Sequence, residues 1–124
     1  MSQKTKILII DDDDFFSDIL SAKFTEQGFE ARRAPDGETG LKMMKKDMPD
    51  VVLLDILMPG MNGYGVLEEI KKNKEIKNVK VMILSSLGQR EDIEKGMAAG
   101  AADYLIKTHL TPAEIVLKIK QAIS

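Results

Sequence analysis

The chain has 124 residues, 44% hydrophobic and 31% charged, with a formal net charge of −2 and no cysteine. That size suits a single domain over residues 1–124, with no output domain in this chain and a real core of its own. The composition gives no support for direct nucleic-acid binding, no apolar run could insert across a membrane, and disulfide frameworks and thiolate metal sites are excluded.

The opening MSQKTKILII carries no signal-peptide cleavage pattern, so a cytoplasmic protein is expected. Ile7 to Ile10 form a short apolar run between polar flanks, which predicts a strand buried on both faces. Four aspartates follow, Asp11 to Asp14. Two unit charges about 4 Å apart repel by roughly 4 kcal/mol at an effective dielectric near 20. Solvent, a helix N-terminus or a bound cation has to offset that repulsion. Phe16, Ile19, Leu20 and Phe24 then keep helical spacing, with Gly28 where a C-cap falls.

A weaker strand is predicted over Glu30–Ala34, then a helix capped by Asp36 that carries Gly40, Leu41 and Met44 and ends before Pro49. Val51–Leu54 repeats the buried-strand signature, and Val66, Leu67 and Ile70 mark the next helix. Val79–Leu84 predicts a fourth strand, Ile93, Met97 and Ala98 a fourth helix, and Asp103–Ile106 a fifth strand. Thr111-Pro112-Ala113-Glu114 combines a capping box with proline at the first helical position. The last helix carries Ile115, Leu117, Ile119 and Ile123, more apolar positions than one narrow stripe requires. Five strand–helix alternations imply an α/β fold, a parallel sheet with helices on both faces. Ligands of such sheets bind beyond the carboxyl ends of the strands, near a topological switch point.

The strand ends deliver Asp11 and Asp12, then Asp55, then Ser85-Ser86, then Lys107. Each has a plainer reading. Aspartates after a strand serve as helix caps, which fits Asp13 and Asp14 better than Asp11 and Asp12. Ser85 could satisfy its hydroxyl on backbone, and Lys107 alone would be a surface lysine. An unpaired carboxylate at Asp55, closing an apolar strand, would be costly. Together these residues suit a hard cation such as Mg²⁺, which prefers oxygen ligands. Open coordination positions could then take a phosphoryl group, with Lys107 and Ser85 on its remaining oxygens. No glycine-rich loop follows the first strand, and the one histidine, His109, is not positioned as a general base. The fitting chemistry is phosphoryl transfer to a carboxylate.

The ordered set ILIIDDDD, DVVLLDILMPGMNGYGVL, VMILSSLGQ and GAADYLIK resembles the receiver domain of two-component response regulators, the CheY-like family, across essentially the whole chain. The resemblance implies a (βα)5 doubly wound, flavodoxin-like three-layer sandwich with strand order 2-1-3-4-5. It implies Asp55 as phosphoacceptor and Mg²⁺ (with Mn²⁺ as a substitute) held by Asp12 directly, Asp11 through water, Asp55, and the backbone carbonyl of Leu57. Ser85 and Lys107 would contact the phosphoryl group, and Tyr104 would be the switch aromatic. A half-buried strand tyrosine fits the local sequence at 104 equally well. The implied phosphodonor is a sensor histidine kinase, a histidine phosphotransfer protein or a small molecule such as acetyl phosphate. Kinase docking would fall on the first helix, using Phe15 if that side chain is exposed. Output would pass to a downstream protein target, or to an output domain outside this chain, through the surface of the fourth helix, fifth strand and fifth helix. The chain would be a monomer, with phosphorylation-dependent dimerisation as an alternative, and would catalyse only its own phosphorylation and slow dephosphorylation.

One departure stands out. The family lysine is usually followed by a cis proline, and here Thr108 follows Lys107. A cis bond before a non-proline residue costs about 2.5–4 kcal/mol, so a trans peptide and a differently shaped loop through His109 and Leu110 are expected. The positions that influence acyl-phosphate hydrolysis in the family carry Leu57 and Leu87, neither able to orient water. A long-lived phosphoryl group is expected, and Leu57→Asn with Leu87→Glu should shorten its lifetime. Two rival readings are a receiver-like binding module that no longer uses phosphate and an aspartate-nucleophile phosphohydrolase. The second would need an acid/base aspartate where Leu57 stands.

Overall fold

A computed structural model of the chain describes residues 4–124. Residues 1–3 of the expected domain lie outside the described residues. In chain order the elements are β1 (Lys6–Ile10), α1 (Asp14–Glu26), β2 (Glu30–Ala34), α2 (Gly37–Lys46), β3 (Val51–Leu54), α3 (Gly63–Lys72), β4 (Lys80–Ser85), α4 (Arg90–Ala98), β5 (Asp103–Ile106) and α5 (Pro112–Ile123). A 3-10 turn over Lys107–His109 joins β5 to α5. The strands form one parallel sheet in the order β2-β1-β3-β4-β5, the expected doubly wound arrangement. Among the described residues, no helix is long and apolar enough to cross a membrane.

Alternate residues of a strand face opposite sides of the sheet, and here both sides are covered. Leu8, Ile10, Val52, Leu54 and Ile83 pack with Met44 of α2 and with Val66, Leu67 and Ile70 of α3. Ile7, Ile9, Val51, Leu53 and Met82 pack with Leu20 and Phe24 of α1 and with Ile115 and Ile119 of α5. The unbroken apolar runs of β1 and β3 follow from this, since a central strand has no solvent face. Each such side chain contributes about 1.5–3 kcal/mol on burial.

The helix ends obey the predicted chemistry. Gly28 lies one residue beyond the cap of α1 with φ +89°, a left-handed conformation that disfavours any side chain. Its N–H donates to the Thr25 carbonyl and that of Phe29 to the Phe24 carbonyl, both at 3.1 Å. The rings of Phe24 and Phe29 meet edge-on at 5.2 Å, closing the motif with an apolar contact. At α5 the Glu114 N–H donates to the Thr111 hydroxyl and the Thr111 N–H to the Glu114 carboxylate, as the capping box predicts.

Three local expectations are corrected. Ile19 is exposed and Ser17 is buried in its stead, because the core-facing line of α1 runs Ser17, Leu20, Phe24. Ile19 stands roughly 200° round the helix from Ser17. In α4 Met97 and Ala98 face outward, and the helix meets the sheet through Gly96. A Cβ there would lie 2.6 Å from Ile83 Cδ1 and 3.0 Å from the Tyr104 ring. β4 begins at Lys80 and ends on Ser85, so that serine belongs to the strand. The surplus apolar residues of α5, Leu117 and Ile123, are exposed.

Candidate functional site

Backbone pairing continues one residue past the strands. The Asp11 N–H donates to the Ala34 carbonyl at 3.1 Å, and the Asp55 N–H to the Ile10 carbonyl at 3.0 Å. Both aspartates are therefore fixed at the carboxyl ends of β1 and β3. There the chain order reverses, with β2 on one side of β1 and β3 on the other. Asp11 is 3% exposed and Asp55 7%, whereas Asp12 is exposed. One carboxylate oxygen from each lies within 4.8 Å of the other two.

Lys107 closes this cluster from the end of β5. Its Nζ donates to Asp11 Oδ2 at 2.6 Å and lies 3.6 Å from Asp55 Oδ2. The peptide bond between residues 107 and 108 is trans, as Thr108 predicts, and the 3-10 turn still brings the ammonium to both carboxylates. Burial acts to lower the Lys107 pKa, but the Asp11 hydrogen bond and the charges of Asp55 and Asp11 outweigh it and raise it. Burial pushes the Asp55 carboxyl above the ordinary carboxylate range. Lys107 opposes that rise and Asp11 adds to it. Asp55 thus holds a charge that its surroundings disfavour.

The loop after Asp55 is shaped around it. The Leu57 N–H donates to Asp55 Oδ1 at 3.3 Å, while the Leu57 side chain is 52% exposed. Asn62 caps α3 by accepting from the Gly65 N–H, and the Gly63 N–H donates to the Ile56 carbonyl at 2.9 Å. A Cβ on Gly63 would stand 2.3 Å from the Asp55 carbonyl oxygen and 2.7 Å from Ile56 Cα. Only glycine permits so close an approach.

Ser85 and Tyr104 are joined through one residue. The buried Ser85 hydroxyl accepts from the Leu87 N–H at 3.2 Å, and the Tyr104 hydroxyl donates to the Leu87 carbonyl at 2.6 Å. Tyr104 is buried rather than half-exposed, and burial raises its pKa. Of the residues singled out from sequence, Asp11, Asp12, Asp55 and Lys107 come together directly. Ser85 lies one strand beyond Asp55, and its partner Tyr104 one strand further. His109, on the turn, is exposed. Two residues expected only to serve the first helix, Asp13 as its cap and Phe16 in its apolar spacing, also take part. Asp13 N-caps α1 and also donates its N–H to Asp11 Oδ1 at 2.9 Å, and the Phe16 ring centroid lies 4.4 Å from Lys107 Nζ. Phe16 keeps helical spacing, and nothing in that pattern separates a ring facing a lysine from one facing the core.

An all-carboxylate set this tight, without histidine or cysteine, suits a hard divalent cation that keeps part of its water shell. Asp11 and Asp55 are preorganised by backbone hydrogen bonds, and exposed Asp12 leaves one side of the cluster open.

Comparison with known proteins agrees with this architecture. The family model described as the response regulator receiver domain matches residues 7–120. The chain is 38% identical over 120 residues to "Probable transcriptional regulator ycf27" of Guillardia theta, which covers 97% of this chain and 46% of that protein. Chemotaxis protein CheY4 of Vibrio cholerae superposes with a TM-score of 0.89 at 24% identity, covering 96% of this chain and 98% of its own. That likeness speaks to the fold. The receiver domain of Francisella response regulator 1452 superposes with a TM-score of 0.87 at 30% identity, covering 95% of each chain. The fold is thus the CheY-like form of the flavodoxin arrangement. The chain belongs to the response regulator receiver domain family. It spans about half the length of most of the curated relatives it matches.

Proposed function

We propose that this chain is a phosphorylation-controlled switch in which Asp55 accepts a phosphoryl group from a phosphohistidine or from acetyl phosphate. The observation that carries the reading is the lysine-bridged pair of buried carboxylates, Asp11 and Asp55, at the switch point of the sheet. An Asp55 carboxylate oxygen attacks phosphorus, the phosphorus–nitrogen or phosphorus–oxygen bond of the donor breaks, and imidazole or acetate leaves with the bonding electrons. Asp11, Asp12, Asp55 and the Leu57 carbonyl would hold Mg²⁺, which neutralises phosphoryl charge during transfer. Lys107, bonded to Asp11 and 3.6 Å from Asp55 Oδ2, supplies a second positive charge beside the reacting carboxylate.

After transfer, the Ser85 hydroxyl turns to a phosphoryl oxygen and gives up its bond from the Leu87 N–H. Leu87 also holds the Tyr104 hydroxyl, so the loop before α4 and the aromatic of β5 respond together. The face of α4, β5 and α5 then differs between the two states, and a protein target or an output domain outside this chain reads the difference. Leu57 has no proton to exchange, which disfavours a hydrolase acting through that position.

Incubation with acetyl phosphate and Mg²⁺, followed by intact mass measurement, should add one phosphoryl group to the wild type and none to Asp55→Asn. No adduct from acetyl phosphate or from a phosphorylated histidine kinase contradicts the proposal.

A further inference from the structure

Lys107 has a third neighbour beside its two carboxylates. Its ammonium stands 4.4 Å from the centroid of the Phe16 ring, within the range of a cation–π contact. We infer that Phe16 is a positioning residue for Lys107, held by the aspartate run so that its ring keeps the ammonium between Asp11 and Asp55. The functional half of this inference rests on the reading above that Lys107 serves a phosphoryl group on Asp55. The geometric half does not.

Four residues form a closed circuit. The Asp13 N–H donates to Asp11 Oδ1 at 2.9 Å, and the Phe16 N–H donates to Asp13 Oδ1 at 3.0 Å. The Phe16 ring faces Lys107, and Lys107 returns to Asp11 Oδ2 at 2.6 Å. One end of the Asp11 carboxylate therefore sets the start of α1, and the other end sets the ammonium. The ring is fixed in turn, because its N–H is the one that the helix cap engages and its side chain packs on the α1–α5 core. Asp11 to Phe16 form one continuous clamp on a residue 96 positions from Asp11 in the chain.

The ring does what a third carboxylate would not. A lysine ammonium is a point charge on a flexible four-carbon stem with three N–H donors. Asp11 takes one donor, and Asp55 Oδ2, at 3.6 Å, lies beyond hydrogen-bond length. A third carboxylate would draw the charge away from Asp55 and take up a donor. An aromatic face attracts the charge without a directional acceptor, so a donor stays available on the Asp55 side. It also shields one flank of the ammonium from water. This support matters here because Lys107 opens a short 3-10 turn without a following proline.

The test has two arms. In protein carrying ¹³C-labelled lysine, the ε-methylene signal missing from Lys107→Arg identifies Lys107. That signal should be ring-current shifted in the wild type, return to the position of the other lysines in Phe16→Leu, and stay shifted in Phe16→Tyr. In the second arm, Phe16→Leu should lower the maximal rate of phosphorylation by acetyl phosphate and Mg²⁺ about three- to tenfold. The half-saturating acetyl phosphate concentration should stay within about twofold, since the ring does not meet the donor, and Phe16→Tyr should restore the rate. On a Lys107→Ala background Phe16→Leu should have no further effect. Should Phe16→Leu not fold, Phe16→Met carries the same comparison. An unchanged Lys107 signal in Phe16→Leu overturns the placement, and equal slowing with and without Lys107 overturns the positioning role. If the wild type takes up no phosphoryl group at all, the proposed function fails while the first arm still decides the geometry.

Discussion

Asp55 carries its charge against the preference of its surroundings. Burial and the neighbouring Asp11 hold its carboxyl above the usual range, and Lys107 only partly compensates. The folded chain therefore keeps the Asp55 proton to higher pH than the unfolded chain does. Where the folded state binds more protons, stability falls as pH rises, so the penalty grows from the ordinary carboxylate range up through the raised value and is complete above it. Asp55→Asn removes that penalty and leaves Lys107 its bond to Asp11. At neutral pH Asp55→Asn should therefore be more stable than the wild type, with a higher melting temperature. The gap should close as pH falls through the raised value towards the ordinary range. Urea denaturation of both proteins across pH measures this, and a gap independent of pH would contradict the assignment. The paired leucines make a separate point about lifetime. With exposed Leu57 beside Asp55 and Leu87 beyond Ser85, no side chain at those positions orients water. The Leu57→Asn, Leu87→Glu double variant should release phosphate severalfold faster than wild type in a decay followed by intact mass, and equal decay would count against it.

Among the elements, the connection from β3 to α3 bears most directly on the site. Gly63 lets α3 begin against the backbone of Asp55 and Ile56, where a Cβ would meet atoms that cannot swing aside. Gly63→Ala should cost about 1–3 kcal/mol in chemical denaturation. Gly65→Ala, two residues on, would meet only the Met61 and Asn62 side chains and should fall within about 1 kcal/mol of wild type. Equal losses at both positions would remove the special role given to Gly63. The five strands and the caps at Asp36 and Thr111 were legible because buried runs and capping residues are local signals. Ile19 and Met97 depart from the expected core for a physical reason. Periodicity finds an apolar stripe but not the angle at which the helix sits, and at α4 the residue that meets the sheet is a glycine, which reads as a breaker. At the site, Asp11, Asp12, Asp55 and Lys107 could be found from their places at strand ends. The Phe16 ring could not, since its role depends on a lysine that comes near only when β5 is in place.

For the molecule as a whole, the proposed cation site at the acidic cluster would couple folding to cation binding. A ligand that binds only the folded state at a hundredfold its Kd adds about 2.7 kcal/mol of stability. Millimolar Mg²⁺ should raise the melting temperature of the wild type, and the rise should vanish in an Asp11→Asn, Asp12→Asn double variant. An equal rise in both would mean that the cation acts elsewhere. The sheet makes this coupling possible by bringing β1, β3 and β5, far apart in sequence, to one edge where a single lysine joins two carboxylates. Next to that edge, Ser85, Leu87 and Tyr104 are linked by hydrogen bonds, and under the proposed function this link would carry a change at Asp55 towards the loop before α4. The most direct measurement of this account locates the phosphoryl group itself. Protein treated with acetyl phosphate and Mg²⁺ is reduced with borohydride, which converts an aspartyl phosphate to a homoserine side chain, and is then mapped by peptide mass spectrometry. The account predicts conversion at position 55 alone and only when Mg²⁺ is present. Conversion at Asp11 or Asp12, or none at any aspartate, would contradict it.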